Sequence, residues 1–502
     1  NATQPKSYPT AQIIMKKILI NRCGLQFLPD SSRVLIRPFI PSSTQRIIQI
    51  IGRGLAMSEA AAEHEVATIM RDFGSRHIEI ERLLLEIFKQ VEPHLFSDSP
   101  LTHARQLLIG ALFTGEYALE SAALFNPSIV LHPDQGGLHS NSVRFIMSLR
   151  ATGEGHISSI EFRTVVIDAK GVIEAEPVTR FVTAPEIHPN PSYNLDSFTI
   201  KLHEMGFENE YTAAVMEVLD GTFTLEELDD SLRNFSHRAH IVTREEQRTL
   251  ECVRWLAKSN YELSFEPSTA MSERILFPVS INESNGIEDA RFVRFIDDDG
   301  TVTYYATYTA YNGRVTLPQL LETCDFLNFR ILTLNGSAVE NKGMALFPRR
   351  INGRYAMLSR QDDENLFLMY SDNPHYWNNP KKLIAPRYPW EMVKLGNCGS
   401  PIETEAGWLV LTHGVGAMRQ YCIGAALLDL EDPSKVIGRL PDPLIRPEGN
   451  EREGYVPNVV YTCGAMLHKK TLILPYAMSD VATAVSTLCI DELLAALLES
   501  GS

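Results

Sequence analysis

One short β-rich pattern recurs at a nearly constant interval in the carboxyl-terminal part of this 502-residue chain. Each copy is a turn followed by an aromatic or apolar strand. The strand ends in a residue whose polar side chain could take part in catalysis or ligand binding. The copies occupy residues 300–309, 353–360, 407–413 and 470–476. The segments that lead into them lie near Asp289, Met344, Pro401 and Asn458, which are 55, 57 and 57 residues apart. A β-rich unit of about 50 residues is the size of one propeller blade.

A fifth copy at residues 142–150 is preceded by Asn126, which lies 163 residues before Asp289. This gap fits one repeat plus an insertion. We therefore predict a mainly β chain that folds as a five-bladed β-propeller, in which residues at the ends of inner strands converge on one pocket. Two stacked β-sandwiches remain an alternative, whereas a solenoid is disfavoured because the repeats lack a short fixed consensus.

Three stretches show the three- and four-residue spacing of apolar side chains that is typical of helices. They cover about 58–96, 103–125 and 202–258. Thr224 with Glu227, and Thr243 with Glu246, match the capping box that opens a helix. We predict an amino-terminal strand and helical extension over 1–124, a propeller domain over 125–490 and a closing helix and tail over 491–502. A helical insertion at about 190–265 separates the first two blades.

Charge and hydropathy narrow the classes of partner. The chain has 46 Lys and Arg against 62 Asp and Glu, a formal charge of −16, and no basic cluster. Nucleic acids and anionic membranes are bound through clustered cations, so we expect neither as a partner. No apolar run approaches the roughly 20 residues that span a bilayer, and residues 1–20 lack the features of a signal peptide. Seven scattered cysteines without a Cys-x-x-Cys pair favour reduced thiols, no zinc site and a cytoplasmic location.

The densest motif in the chain is Gly-Ile-Glu-Asp-Ala-Arg at residues 286–291. Glu288 and Asp289 place two carboxylates beside the guanidinium of Arg291 where a strand begins. One interpretation is a general acid held near the propeller axis. The other is a turn acid that caps the strand and pairs with Arg291. The residues themselves leave both interpretations open.

Three side chains that are cationic, or can become so, lie at corresponding places in neighbouring repeats. Arg360 ends one predicted inner strand, His413 ends the next, and Lys394 lies in the loop that leads into the latter. Together they could hold an oxyanion such as phosphate. Each of them alone is more often a solvated or structural residue, so the pattern is a hypothesis for an anion site.

Taken together, these motifs resemble glycoside hydrolase family 130, the β-mannoside phosphorylases and β-mannosidases with a five-bladed propeller. The similar segments are residues 286–291, the strand at 353–360, Pro-Ile-Glu-Thr to His-Gly-Val at 401–415, and Leu-Pro-Tyr-Ala-Met-Ser-Asp at 474–480. The chain departs from the family motif at Ala290, where proline is usual. Its amino-terminal helices resemble those of extended members, in which such additions cover the pocket or contribute to subunit contacts, so they are candidate homo-oligomer surfaces.

By this resemblance Asp289 corresponds to the proton donor of the phosphorylases, and Arg360, Lys394 and His413 correspond to the residues that hold the attacking phosphate. The implied reaction is an inverting, glycosyltransferase-type phosphorolysis. Phosphate attacks the anomeric carbon of a terminal β-mannosyl unit, while Asp289 protonates the departing oxygen, directly or through a sugar hydroxyl. The products are α-mannose 1-phosphate and a shortened mannoside. A small carbohydrate and inorganic phosphate are the implied partners, with neither a metal nor an organic cofactor.

The resemblance also implies residues that bind the sugar. Arg150 and Asp480 would bind the mannosyl unit that is transferred. Asn126, Asn312 and Tyr476 are further candidates for substrate contacts. For chains with extra helical segments the resemblance favours β-1,2-linked mannobiose or oligomannan over β-1,4-linked mannosyl-glucose.

A phosphorylase and a hydrolase differ in the side chains that lie opposite the general acid. An inverting hydrolase needs a second carboxylate, about 6.5–9.5 Å from the first, to activate water. A carboxylate at that place would repel phosphate, and the residues expected opposite Asp289 are instead Arg, Lys and His, which favours phosphorolysis. A β-mannosidase with Glu288, Glu403 or Glu405 as base is the alternative. A non-catalytic carbohydrate-binding propeller is a third interpretation, because fold does not fix function.

Overall fold

The computed structural model describes residues 18–96, 99–238, 243–313 and 316–501. Within these ranges the chain is mainly β, as predicted, with 29 strands in six sheets and nine α-helices. None of the described helices is long and apolar enough to cross a membrane. All seven cysteines lie in the described ranges as free thiols.

The amino-terminal part combines short strands with four helices. They are β1 (Asn21–Phe27), β2 (Val34–Pro38), α1 (Thr44–Ala56), α2 (Glu59–Phe73), α3 (Ile80–Val91), α4 (His103–Leu112) and β3 (Thr114–Ala118). Ser43, Ser58 and Thr102 open α1, α2 and α4, because each side-chain oxygen accepts a hydrogen bond from the backbone N–H three residues on. Ile51 and Phe88 lie in the buried apolar core of this part.

The helix predicted over 103–125 is wrong beyond Leu112. Residues Thr114–Ala118 form β3, which pairs antiparallel with β2 in the register Thr114 to Pro38 and Ala118 to Val34. Apolar spacing over a few residues fits either state, and here strand pairing with a distant segment decides.

Five groups of antiparallel strands follow in the described ranges. The first is β4 (Ala123–Leu131), β5 (Val143–Thr152), β6 (Ser158–Ile167) and β7 (Ile173–Ala175). An insertion then contains β8 (Glu186–Pro189), β9 (Tyr193–Asn194), α5 (Leu195–Glu204), α6 (Glu210–Met216), β10 (Thr222–Phe223), α7 (Leu225–Arg238), α8 (Arg244–Lys258), β11 (Tyr261–Ser264) and β12 (Ile275–Leu276). The second group is β13 (Gly286–Ile296), β14 (Val302–Tyr311), β15 (Thr316–Thr323) and β16 (Asn328–Thr333).

The third group is β17 (Ala345–Leu346), β18 (Tyr355–Ser359), β19 (Leu366–Ser371) and β20 (Lys381–Ile384). The fourth is β21 (Lys394–Asn397), β22 (Ile402–Thr404), β23 (Gly407–Val415), β24 (Tyr421–Leu428) and β25 (Val436–Arg439). The fifth is β26 (Val460–Tyr461), β27 (Met466–His468), β28 (Thr471–Met478) and β29 (Ala482–Cys489), and α9 (Ile490–Ser500) follows it. The five repeat copies found in the sequence fall on β5, β14, β18, β23 and β28.

Both capping boxes predicted in the insertion are confirmed. The backbone N–H of Glu227 donates to Oγ1 of Thr224 at 3.2 Å, and that of Glu246 donates to Oγ1 of Thr243 at 3.1 Å. The insertion has an apolar core of its own, in which Leu202 and Val253 are fully buried.

Strand pairing also connects parts of the chain at the edges of these groups. β1 pairs antiparallel with β29, so the amino-terminal part supplies the last strand of the fifth group. A single parallel pair between Gly286 and Ser158 joins the first and second groups. No sheet of the described residues closes on itself, and the five-bladed arrangement therefore stays a prediction.

Buried apolar clusters lie between successive groups. One cluster joins the first and second groups, through residues such as Phe162 and Phe292. Others join the second and third, the third and fourth, and the fourth and fifth groups. A further cluster joins the fifth group to the first, through Ile473 and Phe145. Each group thus buries apolar side chains against two others.

A buried ion cluster fastens the amino-terminal part to the first group. Arg33 lies 2.7 Å from Glu120 and 2.8 Å from Glu161 of β6, and Arg163 contacts the same two carboxylates at 2.5 and 3.1 Å. All four side chains are almost fully buried. Burial, together with the charge of Glu161, raises the pKa of Glu120 to about 8. The cluster is stable only while both guanidinium groups are present.

We expect Arg33→Met to lower the free energy of unfolding by about 3–5 kcal/mol, because it removes one of the two guanidinium groups that pair with the buried side chains of Glu120 and Glu161. Denaturant unfolding followed by far-UV circular dichroism measures the change. Arg82→Met is the matched control, since Arg82 pairs with Glu79 and Glu86 at the surface and should cost less than about 1 kcal/mol. Equal losses for the two variants would contradict a role of the buried cluster in stability.

Candidate active site

Asp289 lies on a β-bulge at the start of the second group. Between Glu288 and Arg291, strand β13 has one more residue than β14 opposite it. Asp289 takes a φ of 56°, a left-handed conformation that Asp and Asn adopt more readily than most residues. Such a bulge re-aims a side chain out of the regular alternation of the strand. Ala290 falls in the same bulge, without a Cα partner in β14, and bulges are among the places in a sheet where proline is tolerated.

Asn126 occupies the same kind of bulge on the first strand of the first group. The register of β4 shifts between Phe125 and Ser128, and Asn126 has a φ of 49°. Its Nδ2 donates to Oδ1 of Asp289 at 2.7 Å. Corresponding bulges in two neighbouring groups therefore aim two polar side chains at each other.

The charge state of Asp289 follows from its neighbours. Burial opposes ionisation, but the guanidinium groups of Arg150 and Arg291, the Lys342 ammonium and the Asn126 amide outweigh it and lower the pKa of the carboxyl below its usual value. The carboxylate of Asp289 is therefore ionised in the free protein at neutral pH.

Arg150, at the end of β5, holds both acids of the motif. Its Nη1 donates to Oδ1 of Asp289 at 3.3 Å and its Nη2 donates to Oε1 of Glu288 at 2.8 Å. The other carboxylate oxygen of Glu288 accepts a hydrogen bond from Nζ of Lys342 at 2.6 Å. Glu288 is thus neutralised by two cations, and Lys342 joins the site although no sequence motif pointed to it.

Asp480 lies directly after β28, in the turn to β29, and has a φ of 55°. Burial and the negative charge of Asp289 raise the pKa of Asp480 to about 6, while Arg150 and Arg419 act in the opposite direction. Asp289 and Asp480 are two carboxyls within electrostatic reach of each other whose pKa values are pushed apart. Such a division is typical of sites that handle protons.

A second cluster of polar side chains lies at the ends of β18 and β23. Nη1 of Arg360 lies 2.8 Å from Nε2 of His413, and both side chains are buried. Strand β21 passes close to them at Gly396, where a Cβ would come within 2.5 Å of the His413 ring and 2.9 Å of Arg360 Cδ. Only glycine leaves the space that this pair occupies.

His413 is neutral in this arrangement. Burial and the positive charges of Arg360, Arg291 and Lys394 hold the pKa of its imidazole well below the usual value. The sequence left the charge of His413 open, and in the structure burial and the neighbouring cations suppress its protonation.

Lys394 opens β21 and lies beside the same cluster. Its Nζ contacts Oδ2 of Asp363 at 3.1 Å, and Nε of Arg360 lies 3.5 Å from Oδ1 of the same carboxylate. Asp363 therefore links the two cations. It was not among the predicted residues.

Arg291 and Tyr461 connect the Asp289 cluster with the Arg360 cluster. Arg291 donates to the backbone oxygens of Asp289 and Cys398 and to the Tyr461 hydroxyl, at 2.9, 3.0 and 2.7 Å. The Tyr461 ring meets the His413 ring edge-on, with centroids 5.0 Å apart. Tyr461 was not predicted from the sequence; it lies on the first strand of the fifth group, three residues after Asn458.

The predicted pairing of Asp289 with Arg291 takes an unexpected form. Arg291 bonds the backbone oxygen of Asp289, while the carboxylate faces Asn126 and Arg150. The acid is thus held by its backbone, and its side chain stays directed into the site.

Several buried polar atoms around these clusters have no hydrogen-bond partner within the described ranges. They are Oδ1 of Asn126, Nε of Arg360, Nδ1 of His413, and both Oδ1 and Nδ2 of Asn397. Buried polar groups are nearly always hydrogen-bonded in native proteins. Their concentration at the ends of these strands therefore marks a place for a polar ligand.

The two remaining residues that were predicted to contact the substrate are Tyr476 and Asn312. The Tyr476 side chain is buried and its hydroxyl donates to Oε1 of Glu451 at 2.6 Å, where Glu451 also accepts a hydrogen bond from Arg22 of β1. Tyr476 thus connects β1 to the fifth group through Glu451, and its role as a substrate contact stays a prediction. Asn312 follows β14 directly and is half-buried, and its role stays a prediction.

The glutamates proposed as alternative bases lie in unfavourable settings for that role. Glu288 is held by Arg150 and Lys342, as described above. Glu403 forms a two-point ion pair with Arg349 at 2.8 and 2.9 Å, in which both side chains are about two-fifths exposed. Glu405 is exposed in the turn between β22 and β23.

Comparison with known proteins identifies the family. The family model described as beta-1,4-mannooligosaccharide phosphorylase, of glycoside hydrolase family 130, matches residues 199–499. A 1,2-beta-oligomannan phosphorylase of Thermoanaerobacter sp. (strain X514) is 34% identical over 243 residues, 47% of this chain and 79% of that protein. A beta-1,2-mannobiose phosphorylase of Listeria innocua serovar 6a is 33% identical over 226 residues, 44% of this chain and 62% of that protein.

Among solved structures, the Listeria innocua beta-1,2-mannobiose phosphorylase in complex with beta-1,2-mannobiose aligns with 76% of this chain and 93% of its own, at 24% identity and a TM-score of 0.47. The family model covers more than half of the chain, and it includes the Asp289 motif, Arg360, Lys394 and His413. The chain belongs to glycoside hydrolase family 130.

Proposed function

We propose that this chain is an inverting β-mannoside phosphorylase that releases α-mannose 1-phosphate. One observation carries this function. A half-buried carboxylate, Asp289, is connected through Arg291 and Tyr461 to a pair of cations, Arg360 and Lys394, and the candidate glutamate bases are paired or exposed. Phosphate is an anionic nucleophile that needs cations and no base, whereas water needs a base.

We propose further that the five strand groups are the blades of a five-bladed propeller over residues 125–490. The cyclic order of the apolar clusters, which joins the fifth group to the first, supports this arrangement. The extension over 1–124, the insertion at about 190–265 and the tail over 491–502 are parts outside the blades. A homo-oligomer formed through the helical parts and a cytoplasmic location remain predictions.

In the proposed reaction Arg360 and Lys394 donate hydrogen bonds to the phosphate oxygens. His413 is neutral, and its unpartnered Nδ1 is available to a phosphate oxygen. Inorganic phosphate is the co-substrate, and we propose no metal or organic cofactor. These groups orient the phosphate for attack on the anomeric carbon.

The leaving oxygen needs a proton from Asp289, which is ionised in the free protein. Bound phosphate adds negative charge to the cationic surroundings that keep the pKa of Asp289 low, and therefore raises that pKa. We propose that Asp289 takes up a proton from solvent when phosphate and mannoside are both bound. It then gives this proton to the departing oxygen, directly or through a sugar hydroxyl.

Arg150, Asp480 and Asn126 would hold the transferred mannosyl unit, with Asn312 as a further candidate. The ionised carboxylate of Asp480 accepts hydrogen bonds from sugar hydroxyls. We propose β-1,2-linked mannobiose or oligomannan as the substrate, a choice supported by the names of the two relatives described above.

The direct test incubates the protein with β-1,2- and β-1,4-linked mannobiose, each with and without phosphate. We expect mannose 1-phosphate only when phosphate is present, and faster formation from the β-1,2 linkage. Mannose release that is independent of phosphate would favour a β-mannosidase. Sugar binding without turnover of either compound would favour a non-catalytic propeller.

We expect Asp289→Asn to lower kcat for phosphorolysis by about 10²–10⁴-fold, because the amide cannot give up a proton to the leaving oxygen. Asn tolerates the left-handed backbone at this position, so the fold should persist. Asp298→Asn, at an exposed position of the β13–β14 turn, is the matched control and should keep full activity. Comparable activity of Asp289→Asn and wild type would exclude Asp289 as the acid.

Because the pKa of Asp480 is raised to about 6, we expect the binding of the mannoside to depend on pH. Below this value the carboxyl is protonated, and above it the ionised form accepts hydrogen bonds from the sugar. We therefore expect kcat/KM for the mannoside to rise as the pH increases through about 6, since this parameter reports the free enzyme. In Asp480→Asn this rise should disappear. Its persistence at the same pH in the variant would assign it to another group.

A further inference from the structure

Asp363 ends a tight turn that begins at Arg360. Its backbone N–H donates to the Arg360 carbonyl at 3.4 Å, and its own φ is 58°. This turn leads from β18 towards β19. It places the Asp363 side chain next to the guanidinium that β18 presents to the site.

The carboxylate of Asp363 contacts the two cations that phosphate would need. Its Oδ1 and Oδ2 lie 3.4 and 3.1 Å from Nζ of Lys394. Its Oδ1 also lies 3.5 Å from Nε of Arg360, a buried nitrogen that has no hydrogen-bond partner in the described part of the chain. A carboxylate thus lies where an external anion would find both positive charges.

The two sides of this contact differ in exposure. The Arg360 side chain is 9% exposed, whereas that of Asp363 is 49% exposed. A half-exposed carboxylate regains water when it rotates away, so its ion pair with Lys394 contributes little to stability. The buried Arg360 side chain is therefore held in place, whereas the Asp363 side chain can rotate away from it into solvent.

The turn does not depend on the charge of Asp363. The neighbouring Asp362 accepts hydrogen bonds from the backbone N–H groups of Glu364 and Asn365, at 3.0 and 2.8 Å, and from the Asn365 side chain at 2.6 Å. Asp362 therefore organises the loop backbone. The carboxylate of Asp363 is directed at the cations alone among the described contacts.

We infer that Asp363 is an internal counter-ion of the phosphate site, which competes with phosphate for Arg360 and Lys394 and so sets the phosphate affinity; this rests on the proposed function. With Asp363 in place, the incoming phosphate meets a like charge and must take over two existing ion pairs. When Asp363 swings into solvent, both cations become available. The residue tunes phosphate binding and has no part in bond breaking.

The test compares Asp363→Asn with wild type. Asn keeps the left-handed backbone and removes only the charge. We expect the phosphate Kd, measured by calorimetry without mannoside, and the KM for phosphate to fall about tenfold, because a nearby like charge is lost. The KM for the mannoside should not change. The difference in phosphate Kd between wild type and Asp363→Asn should become smaller at high salt, since half-exposed charges are screened.

Glu364→Gln is the matched control, because it removes the same charge one residue along. Its side chain is exposed and makes no hydrogen bond or ion pair within the described ranges, so its phosphate affinity should equal that of wild type. A Kd that rises or stays constant in Asp363→Asn would overturn the inference, since it would mean that Asp363 positions the cations or leaves them unaffected.

Binding and product analysis separate this inference from the proposed function. If phosphate binds but mannose is released without it, the phosphorylase proposal is wrong, and the ratio of Kd values still decides the role of Asp363. If neither wild type nor variant binds phosphate, both proposals are wrong.

Discussion

The candidate site depends on one buried guanidinium. Arg291 belongs to the second strand group, and its nitrogens donate to the backbone oxygens of Asp289 and Cys398 and to the hydroxyl of Tyr461. These partners come from the second, fourth and fifth groups. A buried cation with three fixed acceptors tolerates little displacement, because any lost hydrogen bond leaves charge unsatisfied in a low-dielectric interior. Arg291 therefore fixes the spacing between the acid and the anion site.

The charges around Arg291 set the protonation state of each titratable group in the site. Arg150, Arg291 and Lys342 keep Asp289 ionised, and the charge of Asp289 helps to keep Asp480 protonated up to about pH 6. Burial, together with the charges of Arg360, Arg291 and Lys394, keeps His413 neutral. In the proposed reaction, a bound phosphate would add negative charge to this balance and raise the pKa of Asp289. Phosphate binding and protonation of Asp289 would then be coupled electrostatically.

Much of the architecture could be predicted because it is local or periodic. The repeat interval located five strands correctly, and the capping boxes of α7 and α8 were found from two residues each. The helix expected beyond Leu112 failed because pairing of β3 with β2, a segment about 80 residues away in sequence, overrides a weak local preference. The surroundings of Tyr476 were likewise beyond prediction from a motif. Strand β28 is buried along nearly its whole length, whereas the hydrogen bond of Tyr476 to Glu451 and the link to β1 depend on packing between distant segments.

The sequence by itself determined the chemistry that is available: an acidic motif at the start of one repeat, and Arg, Lys and His at corresponding places in two others. These follow from residue type and spacing, which the chain carries directly. Only the tertiary structure decided how these groups are charged and which of them meet. The bulges that aim Asn126 at Asp289, the suppressed protonation of His413, and the contact of Asp363 with two cations arise from distances between segments far apart in the chain, and a pKa is set by such distances and by burial.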